Sequence, residues 1–217
     1  MMSQTIVKME GISKAFAGIK ALDNVQIDLR QGEIHALMGE NGAGKSTLMK
    51  IMTGVYSRDS GKMYLQNASS NQLEEVEIKS PLAAQKLGLS MVFQEFNLLE
   101  NMNIAENIFI GREPLGAGQT VDKKQLIQNA AVELKKVNLD IDPSTEVSKL
   151  SCGQKQCVEI AKALSFNARV VVFDEPTASL SERESQTLFK LIKELKEKGV
   201  CILSLIHISE PTRLDVI

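Results

Sequence analysis

The sequence predicts an α/β fold in which helices cover a mostly parallel sheet. Short apolar runs at 34–38, 89–94 and 170–173 have the length of strands buried on both faces. Segments with apolar residues at helical spacing follow at 46–53, and again at 181–195, after the third run. Strands that alternate with helices in this way are typical of parallel sheets.

Two further parts of the chain predict structure beside this sheet. Residues 5–30 alternate apolar and polar side chains in two pieces, and 62–65 form another short run, which indicates an N-terminal antiparallel β subdomain. The polar stretch 66–80 is typical of a surface excursion. Residues 97–165 are mostly helical in pattern, so we expect a helical subdomain inserted at about 95–165, within one domain over 1–203.

Helix boundaries in the second half carry their own signals. Asp122 with Gln125 three residues later, and Ser181 with Glu184, have the spacing of capping boxes. Ser151 precedes another helical pattern as a candidate N-cap. Gly199 ends the helix that begins near Ser181, and a last strand follows at 200–205.

Composition excludes several classes of protein. The 217 residues carry 25 basic and 27 acidic side chains, a net charge of −2, so no basic footprint indicates a nucleic-acid partner. No apolar run reaches the roughly 18 to 20 residues that span a bilayer, and the N-terminus lacks the apolar core of a signal peptide. We therefore expect a cytoplasmic protein. The three cysteines have no zinc or disulfide spacing, and are expected to be packing residues.

The stretch 39–47 fits the phosphate-binding pattern G-x-x-x-x-G-K-[ST], between a predicted strand and a predicted helix. Its glycines let backbone N–H groups converge on phosphate oxygens, and the helix that follows points its positive end at the same anion. Lys45 would reach the β- and γ-phosphates, and the Ser46 hydroxyl would ligate Mg²⁺. The predicted nucleotide-binding residues of this loop are Gly39, Glu40, Asn41, Gly42, Ala43, Gly44, Lys45, Ser46 and Thr47.

A second nucleotide element is the apolar strand 170–173 followed by Asp174 and Glu175. It places two carboxylates at the carboxyl edge of a parallel sheet, where ligands of such sheets bind. Asp174 would hold Mg²⁺ through water, and Glu175 would orient or deprotonate the attacking water. An acidic surface turn is the alternative, which the phosphate loop at 39–47 makes the weaker one.

The motif order then carries a family resemblance. Between the two elements lies Leu150-Ser-Cys-Gly-Gln154, which resembles the L-S-G-G-Q signature of ABC transporter ATPases, and Gln94 matches that family's Q-loop. Loop, glutamine, signature and Asp-Glu follow the family's order over residues 3 to about 203. The text at 94–98, 104–113 and 158–164 resembles the first of two tandem ATPase modules in bacterial importers of ribose, xylose and galactose type.

This resemblance implies further roles. Phe16 would stack on adenine, with an ordinary core phenylalanine as the alternative. Gln94 would sense the γ-phosphate and Mg²⁺, with a solvated glutamine at a strand end as the alternative. Ser151, Gly153 and Gln154 would close on the nucleotide of a partner module, so that the ATPase site is composite and an isolated chain is weakly active.

The resemblance also implies ATP and Mg²⁺ as the ligand and cofactor, and a set of partners. These are membrane permease subunits, a second ATPase module in tandem or as a dimer, and, indirectly, a periplasmic sugar-binding protein. The expected location is the cytoplasmic face of the inner membrane, as a peripheral protein. The permease and the binding protein select the sugar, so its identity is not encoded in these motifs.

Three departures from the family pattern stand out. Cys152 replaces the first glycine of the signature, and Ser181 stands where many relatives have aspartate. The segment 204–217 resembles the translation of sequencing-adapter read-through, with Pro211 where the family has a helix. We therefore expect this tail to be non-native. His207, which follows Glu175 by 32 residues (207 − 175), is the candidate switch histidine of the catalytic set, whereas His35 is expected only to pack.

Two rival functions remain at the level of sequence. A soluble ABC-type ATPase acting on ribosomes shares these motifs, and co-fractionation with membranes would separate it from an importer. Chromosome-type relatives would need a long coiled coil between Gln94 and Ser151, where only a short helical region fits. A simple P-loop kinase or GTPase is disfavoured by the signature at 150–154.

Overall fold

The computed structural model describes residues 4–40, 42–205 and 213–216. The chain divides into two compact units, one formed by residues up to 91, 168–175 and 192 onward, and the other by 92–167 and 176–191. The second unit includes the range 95–165 in which we expected a helical insertion, and it also takes in residues that follow Glu175. The exact bounds of the domain stay a prediction.

The described elements follow one another in an α/β order. The strands are β1 (Thr5–Phe16), β2 (Ile19–Arg30), β3 (Ile34–Met38), β4 (Ser60–Gln66), β5 (Leu73–Glu75), β6 (Leu89–Val92), β7 (Val170–Phe173), β8 (Cys201–Ser204) and β9 (Arg213–Val216). The α-helices are α1 (Lys45–Met52), α2 (Pro81–Lys86), α3 (Ile104–Phe109), α4 (Lys123–Lys136), α5 (Cys152–Leu164) and α6 (Glu182–Glu197).

The N-terminal strands form an antiparallel sheet in the order β2-β1-β4-β5. Val7 of β1 lies opposite Leu29 of β2 and Leu65 of β4, and all three side chains are buried. The predicted antiparallel β subdomain is confirmed, although β1 and β2 are longer than their alternating pieces indicated, because both continue to the turn at 17–18.

The second sheet has the order β6-β7-β8-β3-β9. β8 pairs in parallel with both β7 and β3, so the mostly parallel core is confirmed. The sequence pattern indicated a last strand at 200–205, but the structure adds β9, which pairs in parallel with β3 at the sheet edge. A short strand at an edge needs only backbone partners, which side-chain patterning does not reveal. The foreign origin of the tail stays a prediction.

Several local expectations need correction. The polar excursion at 66–80 contains the short strand β5, and the unpredicted helix α2 follows it, capped by Ser80 with Pro81 in the first turn. Asp122 caps α4 by accepting from the Gln125 N–H, but the Gln125 side chain donates to Asn129, so the reciprocal half of the capping box is missing. Between 97 and 165 the α-helices are α3, α4 and α5; the helices that begin after Asp122 and Ser151 were predicted individually, whereas α3 was not.

The core of the first unit lies under both sheets and against α1 and α2. Its fully buried side chains include Val7, Met9, Leu29, Leu37, Leu48, Met49, Met52, Met63, Leu89, Val170 and Val172. Burial on both faces of β7 follows from its uninterrupted apolar sequence, and the first four residues of β3 are buried as well, although His35 interrupts its apolar run. In the described part of the chain, no helix combines the length and the apolarity that crossing a membrane requires.

Candidate functional site

The predicted phosphate loop joins the end of β3 to the start of α1. β3 ends at Met38, and α1 begins at Lys45. The first bond within the helix runs from the Leu48 N–H to the Gly44 carbonyl, so the N–H groups of the first three helical residues point out of the helix end, toward the loop. These donors and the helix dipole favour an anion at this place.

Gly44 shows why this loop needs glycine at its last turn. Its φ of 90° lies in the left-handed region, which side chains disfavour. A Cβ at this position would also lie 2.6 Å from Leu22 Cδ2 and even closer to the Ala21 carbonyl oxygen. Any larger residue would therefore push the loop away from β2 and change the direction of the α1 donors.

Lys45 lies back across the first residues of the loop. Its Nζ donates to the Gly39 and Glu40 carbonyl oxygens, each at 2.8 Å. An ammonium group has three protons, so these two contacts orient the side chain and leave a third donor. The lysine is therefore held at the loop, where a phosphate oxygen would meet both its charge and the helix N-terminus. Asn41, also predicted in this loop, lies outside the described residues.

The register of the parallel sheet places Asp174 at the same edge as this loop. Phe173 and Ala36 both lie opposite Ser204, in neighbouring strand pairs. Since β7 and β3 are each parallel to β8, Asp174 and Leu37 leave the same row of the sheet in the same direction. Two strand spacings, about 10 Å, separate them. The carboxyl end of β7 therefore opens onto the crevice edge from which the phosphate loop departs.

The two carboxylates at this edge differ in environment. Burial raises the pKa of Asp174, and Glu175 raises it further, while the Lys50 charge lowers it. Glu175 is exposed and has a φ of 46°, a backbone conformation that is uncommon outside glycine. Strain of this kind persists where surrounding structure fixes a residue, and it often marks functional positions. The motif indicated the carboxylates but not this conformation.

Phe16 is the last residue of β1 and is 41% exposed, so it is not a core side chain. Its ring meets that of Tyr56 edge-on, with centroids 5.3 Å apart and planes at 68°. The Lys14 ammonium lies 5.5 Å from the Phe16 centroid and also pairs with Asp59 at 2.7 Å. Neighbours thus fix an exposed aromatic ring in place. Its role at adenine stays a prediction, and Tyr56 is a neighbour that sequence reasoning missed.

The signature residues open α5 in the second unit. Ser151 is the N-cap: its Oγ accepts from the Gln154 N–H, and the Gln154 side-chain oxygen accepts from the Ser151 N–H. This complete capping box confirms the N-cap reading of Ser151. Gly153 lies in the first turn, and its N–H donates to Glu184 Oε1 at 2.9 Å. Cys152, where the family has glycine, is exposed, so it is not the packing residue we expected.

Gln94 is exposed and lies two residues after the end of β6, not at the strand end itself. The segment that follows it is held by α5. The Asn97 N–H donates to Glu159 Oε1 at 2.6 Å, and Lys162 Nζ donates to the Asn97 carbonyl at 3.3 Å. Because Glu159 and Lys162 are three residues apart on one helix, a single turn of α5 holds both the backbone N–H and the backbone carbonyl of Asn97. Nothing in the sequence pattern indicated this contact.

The two histidines and the other two cysteines are the remaining residues for which the sequence carries an expectation. His35 is fully buried in β3, with its Nδ1 3.3 Å from Glu33 Oε1, which fits a packing role. Burial raises the pKa of the Cys157 thiol to about 11 and raises that of Cys201 as well, so both stay protonated at neutral pH. His207, the candidate switch histidine, lies outside the described residues.

The protein groups at this site would hold a magnesium ion only together with phosphate. Within the described residues, no three His, Cys, Asp or Glu side chains cluster as a self-contained metal site. Mg²⁺ typically binds one or two carboxylates plus substrate phosphates and water, rather than an all-protein cage. Asp174, at the sheet edge that the phosphate loop leaves, and Ser46 in the first turn of α1 offer that partial set.

Two curated proteins are similar to this chain along most of its length. The chain is 48% identical over 206 residues to a putative ribose/galactose/methyl galactoside import ATP-binding protein 2 of Burkholderia cenocepacia (strain HI2424), and 46% identical over 204 residues to the ribose import ATP-binding protein RbsA of Clostridium perfringens (strain 13 / Type A). These matches cover 94% and 93% of this chain but only 39% of each relative. The chain therefore spans about two-fifths of their length.

Solved structures show the same fold. A nucleotide-free ATP-binding cassette from an ABC transporter superposes with a TM-score of 0.84 at 28% identity, covering 99% of this chain and 88% of that one. A dimeric bacterial ABC transporter cassette gives a TM-score of 0.76 at 26% identity, covering 98% and 94%. Residues 22–178, which include the phosphate loop, the signature and the Asp-Glu pair, match the ABC transporter family, and the chain belongs to it.

Proposed function

We propose that the chain binds and hydrolyses ATP as one module of a carbohydrate importer. One observation carries the ATPase part: a phosphate loop that holds its own lysine leaves the sheet at the edge where Asp174 and Glu175 follow β7. The importer part is supported by the relatives, whose names are those of sugar import ATP-binding proteins.

Binding of the nucleotide falls to three groups in the first unit. The Lys45 ammonium and the N-terminus of α1 attract the β- and γ-phosphates, because both present positive charge at the loop. Phe16 offers an exposed ring on which adenine would stack.

Hydrolysis falls to the carboxylates. Glu175 is the candidate general base that orients or deprotonates water for in-line attack on the γ-phosphorus, with Gln94 and His207 as the other catalytic candidates. Ser46, Asp174 and Gln94 would hold Mg²⁺, which when bound would neutralise charge on the phosphates. Asp174 suits such a place because it directly follows the buried strand β7, at the sheet edge that the phosphate loop leaves.

The site is completed by a second module. Ser151, Gly153 and Gln154 open α5 in a unit separate from the phosphate loop, and in this proposal they act on the nucleotide of the partner. A cassette that is similar in structure is dimeric. Hydrolysis would therefore require two modules, and a chain that cannot pair would bind ATP without turning it over.

The proposed partner proteins follow from the proposed role of the chain in an importer. The module would dock, as a peripheral protein, on membrane permease subunits at the cytoplasmic face, and a periplasmic sugar-binding protein would feed the permease. The relatives' names favour this over the alternative of a soluble ATPase acting on ribosomes. Co-fractionation of the chain with ribosomes, and not with membranes that contain its permease, would reverse that preference.

A nucleotide titration tests the division of roles. Lys45→Ala should abolish binding of a fluorescent ATP analogue, because it removes the charge at the loop, while Glu175→Gln should bind normally and fail to hydrolyse. Lys20→Ala, which removes an exposed lysine of β2, is the matched control and should behave as the parent. Equal loss of binding in the Lys45 and Glu175 variants would contradict the roles assigned here.

A further inference from the structure

The Glu184 carboxylate joins the start of α6 to the start of α5. Its Oε2 accepts from the backbone N–H of Ser181 at 3.0 Å and from the Ser181 hydroxyl at 2.8 Å. Its Oε1 accepts from the Gly153 N–H at 2.9 Å and from the Ser151 hydroxyl at 3.2 Å. One oxygen thus caps α6, and the other occupies the N-terminus of the signature helix.

Gly153 leaves room for this contact because it has no side chain. A Cβ at Gly153 would lie 2.7 Å from Glu184 Oε1 and 2.8 Å from its Cγ, so a side chain here would push the glutamate away. Cys152 beside it is exposed and carries a side chain without such a conflict. Of the two glycines in the family signature, the chain keeps the one against which Glu184 packs.

The hydrogen bonds account for every proton that these two signature groups can donate. A serine hydroxyl has one proton and a backbone N–H has one. Ser151 Oγ already accepts from the Gln154 N–H and gives its proton to Glu184, and the Gly153 proton also points at Glu184. A phosphate that binds through these two groups must therefore replace the carboxylate.

We propose that the Glu184 carboxylate is an internal substitute for phosphate: it holds the donors of Ser151 and Gly153 in position, and it is exchanged for the phosphate of the partner module's ATP when two modules associate. This inference rests on the proposed function. It makes Glu184 a positioning residue, which competes with the nucleotide while keeping the signature donors arranged for an anion.

The division of the two oxygens makes the exchange possible. Oε1 accepts from the signature donors of Ser151 and Gly153, whereas Oε2 accepts from the two donors of Ser181, so a turn of the side chain can release the first set and keep the second. A carboxylate at a helix N-terminus is favoured by the orphan N–H groups and by the dipole. The hydroxyl and N–H of Ser181, followed by the donors of Gly153 and Ser151, lower the pKa of Glu184 to about 2, so the group is an anion at neutral pH, as a phosphate is.

The test uses the Glu175→Gln chain, in which ATP should bind and persist. Sedimentation velocity across an ATP series gives the ATP concentration at which half of the chain associates. Adding Glu184→Gln should lower that concentration by roughly threefold to tenfold, because a neutral acceptor holds the donors less strongly than a charged one. Glutamine can still form a capping box with Ser181, so α6 keeps its cap.

Glu182→Gln is the matched control. Glu182 is exposed in the same first turn of α6, so this change removes the same charge from the helix, and it should leave the half-association concentration unchanged. Melting temperature and nucleotide binding to the unassociated chain are measured alongside. If the Gln variant does not fold, Glu184→Asp replaces it, because the shorter side chain cannot span both helix ends and should shift association in the same direction.

The outcomes separate the inference from the function on which it rests. Association at lower ATP with Glu184→Gln, and not with Glu182→Gln, supports the exchange. Association that needs the same or more ATP overturns the exchange alone and leaves Glu184 a purely structural link. If ATP binds through Lys45 but no variant associates at any ATP concentration, the composite site fails, and the exchange fails with it.

Discussion

Glu184 Oε1 accepts a hydrogen bond at 2.9 Å from the backbone N–H of Gly153, which lies 31 residues earlier in the chain. The contact ties the helix that follows the Asp-Glu pair to the helix that carries the signature. Cys152 beside Gly153 is exposed, whereas a Cβ at Gly153 itself would clash with Glu184. A link between two motifs thus depends on one carboxylate.

Acid should weaken this link in a defined range of pH. The pKa of Glu184 is about 2 in the folded chain, against about 4.3 for an unperturbed glutamate. A lowered folded pKa contributes stability that is present above the unfolded pKa and is lost as the pH falls through the folded one. The parent should therefore be more stable than Glu184→Gln at pH 7, and this difference should shrink between about pH 4 and pH 2 in denaturant titrations.

A second variant isolates the cause. Gly153→Ala pushes Glu184 away from the signature without changing any charge, so it should reduce the same acid-dependent difference. Cys152→Ala changes an exposed neighbour and should leave that difference as in the parent. A Gly153→Ala chain with the parent's acid dependence would show that the Ser181 donors alone lower the pKa.

Phe16→Ala should weaken ATP binding, and Phe16→Tyr should largely preserve it. Loss of aromatic stacking on a base costs about 1–3 kcal/mol, which is about fivefold to 150-fold in affinity. Titration with inorganic triphosphate, which has no base, should give equal affinities for parent and variant. Ile19→Ala, at a 75% exposed residue of the same hairpin, serves as the control. An equal loss for ATP and triphosphate would place Phe16 in loop folding rather than at the base.

Two inactive variants should restore activity when mixed. The Lys45→Ala chain has a defective phosphate loop and an intact signature, whereas the Ser151→Ala chain has an intact phosphate loop and a defective signature. Every composite site in a pure variant therefore contains one defective part. Random pairing in a two-fold dimer leaves about a quarter of the sites intact. Steady-state hydrolysis should therefore appear on mixing and rise with protein concentration. Full activity in pure Ser151→Ala, independent of concentration, would contradict a composite site.

Glu159→Gln tests the hydrogen bond by which α5 holds Asn97, in the segment that follows Gln94. Burial raises the pKa of Glu159, while Lys162 and the Asn97 N–H lower it less. A raised folded pKa gives stability that is present below the unfolded value, about 4.3, and is lost as the pH rises through the folded one. The glutamine keeps an acceptor for Asn97 without the charge, so its melting temperature should gain on the parent as the pH rises.

The melting temperature of Glu159→Gln relative to the parent should rise by a few degrees by pH 8. A change in stability of about 1 kcal/mol moves the melting temperature of a chain of this size by such an amount. Glu146→Gln removes an exposed carboxylate of a surface pair with Lys149 and should show no such trend. A gain that is constant with pH would mean that packing, not ionisation, separates the two side chains.

Local motifs were readable in the sequence because their parts lie close along the chain. Lys45 serves a loop in which its own hydrogen bonds span six residues or fewer, to the Gly39 and Glu40 carbonyl oxygens. Ser151 with Gln154 closes a capping box over one turn. Such signals depend on backbone geometry that neighbouring residues set by themselves. The edge strand β9 and the helix α2 were missed because backbone pairing and a six-residue helix leave little periodicity.

The sequence by itself determined the α/β fold, the phosphate loop and the order of the motifs, because spacing and apolar patterning encode them directly. Only the tertiary structure decided that Asp174 and Leu37 leave one row of the sheet, that Glu159 holds the Asn97 peptide, and that Glu184 occupies the donors of the signature. Each of these three spatial relationships joins residues that are 31 or more positions apart in the chain. A carboxylate finds such a partner only after strands and helices have packed, so no local pattern announces it.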